Sequence, residues 1–231
     1  MDAKIAPQGV NIASDFALCG DLCSVDRGQN LYGGQQRSKS ARQNIARAGE
    51  PNPGLLVICQ GWAVRYVQLR NGKRQILSVA LPGDLISPTA AFEEELSYSI
   101  QAVTNVKYRY LTSASVRAAL QNNIGLRDHW VELVIAERHD ADSLLERLLQ
   151  RSAEERVASF ILRIVNRLEE RSRPHDGVFD FPLSQLQLAD ATGLTPVHVC
   201  RTLRSLRDAN VCDVGHGKVK VFDEDALRDR A

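Results

Sequence analysis

The stretch from Leu183 to Val211, LSQLQLADATGLTPVHVCRTLRSLRDANV, constrains this chain more than any other, because it spells two short helices joined by one tight turn. Ser184 followed by Gln187 has the form of a capping box, in which both side chains satisfy backbone N–H groups left unpaired at a helix start. A first helix is expected from Gln185. Leu186, Ala189 and Asp190, with Leu183 just ahead, give it a narrow and mostly apolar stripe, and Gly193 follows where a left-handed residue ends the helix. Thr195 is a favoured N-cap, and Pro196 suits the first helical position, where its missing N–H costs nothing. The second helix, residues 196–209, turns Val199, Leu203 and Leu206 inward, while Val197, His198, Cys200, Arg201, Arg204 and Arg207 lie largely on the other side.

From Val211 to Phe222, short apolar runs flank Gly215-His216-Gly217, which reads as a hairpin with a glycine-containing turn. Helix, helix and hairpin make a winged helix-turn-helix, an architecture that touches DNA. A helical hairpin with a solvated basic face is the plainer explanation for three arginines. The turn length, the glycine position and the caps together favour the helix-turn-helix.

Upstream, LLVICQ, WAVRYVQL, QILSVAL and SIQAVTNVKYRYL are short runs rich in Val, Ile, Leu and Tyr. Gly61, Asn71-Gly72 and Pro82-Gly83-Asp84 separate them, so they read as antiparallel strands with Asn71-Gly72 as the best hairpin turn. Residues 1–44 are polar and in places rich in Gly, Ser and Gln, and an irregular or partly helical arm is expected there.

After Thr112, a cap, the pattern becomes helical for about sixty residues. Trp130, Leu133, Val134, Glu137, Ala141, Leu144, Leu145, Leu148 and Leu149 follow three-and-four spacing with one polar interruption. Such a stripe can cover the strands or pair with a second copy of itself, and its length favours pairing. Ser152 with Glu155 repeats the capping box and opens a helix whose Val157, Phe160, Ile161, Ile164, Val165 and Leu168 form the core of a C-terminal domain. Ser172 to Gly177 ends it. The domain hinge is placed near Gln150 to Ser152.

The segment GLTPVHVCRTLRSLRDANV resembles the DNA-binding half of the CRP/FNR superfamily of bacterial transcription regulators, and Gly49 to Ile86 resembles that superfamily's sensor β-roll. The likeness runs from about Ile45 to the C-terminus. It implies an α+β fold: a cyclic-nucleotide-binding-like antiparallel β-roll over 45–115, a central dimerisation helix over 116–151 and a winged helix-turn-helix over 152–231, after an arm over 1–44.

The resemblance also implies a homodimer whose two recognition helices enter successive major grooves of an inverted repeat, with RNA polymerase as a further partner. Arg201 matches the family arginine that reads guanine. Val197 stands where many members carry a glutamate that accepts from cytosine, so the half-site should differ, with a thymine methyl as one contact open to valine. His198 and Arg204 suit phosphate or base-edge contacts, and Thr195 can offer its hydroxyl or backbone N–H to a phosphate. An exposed His198 reads as a polar contact rather than a pH switch.

Cys200 lies beside Arg201 on the presumed DNA face. One reading is a small residue that fits the groove. The other is a thiol, activated by neighbouring arginines, whose oxidation adds bulk and negative charge beside the phosphates.

At the sensor end, cyclic-AMP-binding members carry an Arg-Ser pair after the PGD-like turn. The corresponding ISPTAAFEEELSYSIQAV has none and presents Glu93, Glu94 and Glu95, which would repel a cyclic phosphate, so the usual cyclic-AMP response is not expected. Cys19 and Cys23 have the wrong spacing for an iron–sulfur cluster, and Cys59, Cys200 and Cys212 do not complete one. A Cys19–Cys23 redox pair is the alternative to two incidental thiols. No histidine precedes His129, so nothing supports haem, and no cofactor or metal is expected.

Composition narrows the field less. A net charge of +1 over 231 residues does not advertise a nucleic-acid binder, but Arg201 to Arg207 with Lys218 and Lys220 make a local basic patch. No apolar run approaches the roughly 18 residues needed to cross a bilayer, and MDAKIAPQGV lacks the regions of a signal peptide, so a cytoplasmic location is expected. Five cysteines at uneven spacing suggest free thiols rather than a disulfide framework. There is no HExxH, G-x-S-x-G or P-loop motif, so an enzyme is not expected. The competing reading is a ligand-binding or protein-interaction module with a β-roll and no DNA role, which has no need of the arginine face.

Overall fold

The computed structural model describes residues 36–231 apart from Ser172, Arg173 and His175. The N-terminal half folds β1 (Gln36–Lys39), β2 (Asn44–Ala46), β3 (Leu55–Gln60), β4 (Ala63–Gln68), β5 (Arg74–Ala80), β6 (Leu85–Ile86), β7 (Ser99–Ala102) and β8 (Val106–Leu111) into two antiparallel sheets, ordered β1-β8-β3-β6 and β2-β7-β4-β5. A 3-10 helix, Pro88–Phe92, follows β6.

Burial along β3 shows how the roll is covered. Leu56 and Ile58 face inward onto Ile86, Ile100, Val106 and Tyr108, while Leu55 and Val57 face outward onto Val116, Trp130 and Leu133. A strand covered on both faces loses its apolar–polar alternation, which is why LLVI reads as a continuous apolar run. β1 corrects the expectation of an irregular or helical arm: Gln36 to Lys39 pair along their whole length with β8. This edge strand is polar and largely exposed, held by backbone hydrogen bonds rather than by apolar side chains.

The hairpin at Asn71-Gly72 forms as expected. Leu69 N–H and Lys73 C=O close it at 2.8 Å, and Gly72 takes φ 80°, the left-handed residue the loop needs.

Three helices follow, each with its own cap: α1 (Ser113–Asn122) under Thr112, α2 (Ile124–Gln150) under Asn123, and α3 (Ala153–Glu169) under the capping box of Ser152 and Glu155. Caps of this kind contribute about 1 kcal/mol each. In α2 only Trp130 and Leu133 are buried, against the outer face of the β3 sheet. Val131, Ile135, Leu145 and Leu149 are exposed, Leu149 at 74%. The single stripe read from the sequence is therefore two faces, and Val131 and Ile135 belong to the outer one.

The C-terminal half contains β9 (Val178–Asp180), α4 (Gln185–Thr192), α5 (Pro196–Asp208), β10 (Cys212–Gly215), β11 (Lys218–Val221) and α6 (Glu224–Asp229). Its core is built on Val157, Phe160, Ile161, Ile164 and Val165 of α3, and it runs without interruption into Trp62, Val64, Tyr66, Ile76, Val79 and Leu81 on the outer face of the β4–β5 sheet. Trp62 and Phe181 meet edge to face across this seam at 6.3 Å. β9 and α6 were not foreseen. Three residues, VFD, carry too little pattern for a strand, yet they pair with β11 and widen the hairpin into a three-stranded sheet.

Candidate DNA-reading surface

Ser184 and Gln187 form the expected capping box: Gln187 N–H donates to Ser184 Oγ at 3.2 Å, and Ser184 N–H donates to Gln187 Oε1 at 2.9 Å. Gly193 closes α4 at φ 67°, ψ 27°. The stripe foreseen for α4 needs correction, since Leu186 is 55% exposed. The buried face is Leu188, Ala189, Ala191 and Thr192. Thr192 escapes a sequence reading because its hydroxyl donates back to Leu188 C=O at 2.7 Å, hiding its polarity. Asp190 is not apolar filling either: it accepts from Arg74 Nε and Nη2 at 3.0 and 2.8 Å. A carboxylate on an otherwise apolar stripe was the signal for that partner.

Thr195 Oγ1 accepts from His198 N–H at 3.3 Å, and Pro196 starts α5. Val199, Thr202, Leu203 and Leu206 are buried. Thr195, Val197, His198, Cys200, Arg201 and Arg204 are all exposed on the opposite side. Val197 is 61% exposed and offers an apolar side chain on this face. The arginines are not equivalent. Arg204 reaches Asp208 at 3.6 Å and Arg207 reaches it at 3.9 Å, whereas Arg201 takes no part in an ion pair among the described residues. Its guanidinium fork is open to a planar acceptor.

Beside α5, β10 and β11 pair in register from Cys212↔Val221 to Gly215↔Lys218. His216 and Gly217 both have positive φ, 51° and 73°, the combination a two-residue hairpin turn requires. Lys218 is paired with Asp180 at 2.5 Å, and Lys220 lies over the Phe222 ring at 5.6 Å. Both lysines are exposed.

Two cysteines contrast. Cys200 is exposed, while Cys212 is buried and its thiol is pushed up to about 11 by that burial and by Asp213. Cys19 and Cys23 lie outside the described residues. Among the described residues, no three His, Cys, Asp or Glu side chains gather as a metal site.

A cavity of about 350 Å³ opens between the roll, α2 and α3. Leu77, Val79, Ile86 and Leu144 give it apolar walls, and Arg65, Asp84, Glu137, Asp140, Arg163 and Arg167 its charges. Arg65 pairs with Glu137 across it. Arg163 stacks on Phe160, its Nε has no partner, and burial, with Arg147 nearby, pushes its guanidinium down to about 10. Glu93, Glu94 and Glu95 are not among the lining residues.

Two family descriptions match: "Cyclic nucleotide-binding domain" over residues 36–123 and "Crp-like helix-turn-helix domain" over residues 155–230. The chain belongs to the CRP/FNR superfamily of transcription regulators. The nitrogen fixation regulation protein FixK of Bradyrhizobium diazoefficiens is 26% identical over 90% of this chain and 86% of its own length. The transcriptional activatory protein AadR of Rhodopseudomonas palustris is 28% identical over 90% of this chain and 86% of its own. The structure of FixK2 from Bradyrhizobium japonicum has the same fold, with a TM-score of 0.76 at 22% identity, covering 85% of this chain and 96% of that one. This CRP/FNR-type chain is a DNA-binding transcription regulator, and the relatives it matches are regulators rather than enzymes. No helix among the described residues is long and apolar enough to cross a membrane.

Proposed function

We propose that this regulator works in the cytoplasm as a homodimer that reads an inverted-repeat operator through α5. The observation that carries the reading is the outer face of α5, where Thr195, Val197, His198, Cys200, Arg201 and Arg204 are exposed together and Arg201 is unpaired. Arg201 reads guanine through its fork. Val197 contacts a thymine methyl, because valine cannot accept from cytosine N4. His198, Arg204 and the Thr195 end of the helix hold phosphates and set register. Pairing along α2 brings two copies together, supported by the exposed row of Val131, Ile135, Leu145 and Leu149. RNA polymerase is the further partner.

The usual cyclic-AMP response is absent from this reading because the chain has no Arg-Ser pair after Pro82-Gly83-Asp84. A redox response through Cys200 takes its place, with Cys19 and Cys23 as a further candidate pair. Sedimentation combined with gel shift on a random DNA pool tests the assignment. A dimer that binds the pool with strong salt dependence is expected, and a monomer with weak, salt-insensitive binding would argue against it.

A further inference from the structure

Arg74, at the start of β5, holds Asp190 of α4, and Gln75 Nε2 donates to Ala191 C=O at 3.4 Å. Beyond the other end of the strand, Asp84 is buried in the turn before β6 and meets two cations, Arg167 of α3 and Arg171 in the turn just past that helix. Its Oδ2 accepts from Arg167 Nη2 and from Leu81 N–H, the latter at 2.7 Å, and its Oδ1 accepts from Arg171 Nη2 at 2.5 Å. Arg167 also donates to Val79 C=O at 2.8 Å, and Arg171 to Pro82 C=O at 3.3 Å. The apolar seam of Ile76, Val79 and Leu81 against the α3 core runs between these two points.

An apolar seam is non-directional and tolerates sliding, so it fixes contact but not angle. One polar tie would add a pivot. Two ties at opposite ends of a strand remove the rotation about either one. A buried carboxylate with two guanidinium partners is costly to pull apart, because opening it leaves a desolvated charge on each side. Burial lowers the Arg171 pKa, and nearby Asp84 acts against that shift. In this clasped arrangement the outer face of α5 is left exposed by the described residues, so the orientation held is one that presents the recognition helix.

We propose that Asp84, with Arg167 and Arg171, is a positioning element for DNA binding: a clasp between the β-roll and α3 that sets the angle of α5 against the rest of the molecule. In a dimer that angle fixes the separation of the two recognition helices and therefore the half-site spacing accepted, a consequence that rests on the dimer and operator reading above. Asp84 and Arg167 also line the cavity, so the clasp and the cavity share two side chains.

The test uses the full chain and three variants: Asp84→Asn, which keeps an amide oxygen for Leu81 N–H; Arg171→Gln, which leaves Asp84 its contacts with Leu81 N–H and Arg167; and the two combined. The operator is first selected with wild-type protein from random DNA. Each single variant should lower the ratio of operator to random-DNA affinity by about tenfold, an ordinary size for coupling between domains, and broaden the spacing preference. The double variant should lose no more than the worse single, because Asp84→Asn already removes the ion pair that Arg171→Gln breaks. An unchanged ratio, even with a lowered Tm, or fully additive losses, would overturn the clasp. If wild type selects no inverted repeat, the operator reading fails on its own. The clasp is then read by amide hydrogen exchange in α3: faster exchange in Arg171→Gln supports it, and equal exchange overturns it.

Discussion

A β-carbon placed on Gly193 would lie 2.7 Å from Leu148 Cδ2, so the turn of the helix-turn-helix is seated against the C-terminal part of α2. The backbone at φ 67° demands glycine here, whereas the Leu148 methyl is the far end of a side chain that can move aside. Gly193→Ala should therefore cost about 1 kcal/mol, most of it from the backbone. A drop of several degrees in Tm by calorimetry is expected. Adding Leu148→Ala should recover little of that cost, because the backbone carries it, an outcome a double-mutant cycle reads directly.

Arg201 and Arg204 should fail in different ways. Arg201→Ala should relax base preference at one position of each half-site, costing about 1–3 kcal/mol of discrimination. Arg204→Ala should weaken binding to operator and random DNA alike and lower the salt slope by about one. Titrations on single-base operator variants at several salt concentrations separate the two.

The exposed row on α2 predicts a monomer when it is charged. Ile135→Asp with Leu149→Asp should shift sedimentation from dimer to monomer and abolish cooperative binding to a full operator. Trp130 and Leu133 are left intact, so the fold read by circular dichroism should persist. A dimer that survives both charges would move the interface elsewhere.

Cys200 is exposed, whereas the Cys212 thiol is buried and held near 11, so maleimide at neutral pH should label Cys200 well ahead of Cys212. Peroxide should weaken operator binding in wild type and spare Cys200→Ser. Equal loss in both proteins would sink a redox role for this thiol.

How much of this was legible beforehand depended on whether a signal was local. Ser184, Gln187, Gly193, Thr195 and Pro196 each act through backbone groups within three or four residues, so the turn and both helix starts could be read from spacing alone. β1 and β9 could not, because Gln36–Lys39 and Val178–Asp180 become strands only by pairing with β8 and β11, which lie far along the chain. Leu186 misled for a related reason: an exposed leucine and a self-satisfied Thr192 exchange their expected places on a short helix. On the DNA face, Arg201 was evident from position, but its freedom from ion pairs depends on where Asp208 sits relative to Arg204 and Arg207. The ties of Asp84 and Asp190 to the opposite half are long-range pairings that no periodicity encodes.

Selection of DNA from a random pool by the wild-type protein, followed by sequencing, bears most directly on whether α5 reads an operator as one of a pair. The predicted result is an inverted repeat with half-sites about one helical turn apart, a guanine that loses its preference in Arg201→Ala, and steep salt dependence. A pool with no enriched repeat, or a repeat indifferent to Arg201→Ala, would contradict it.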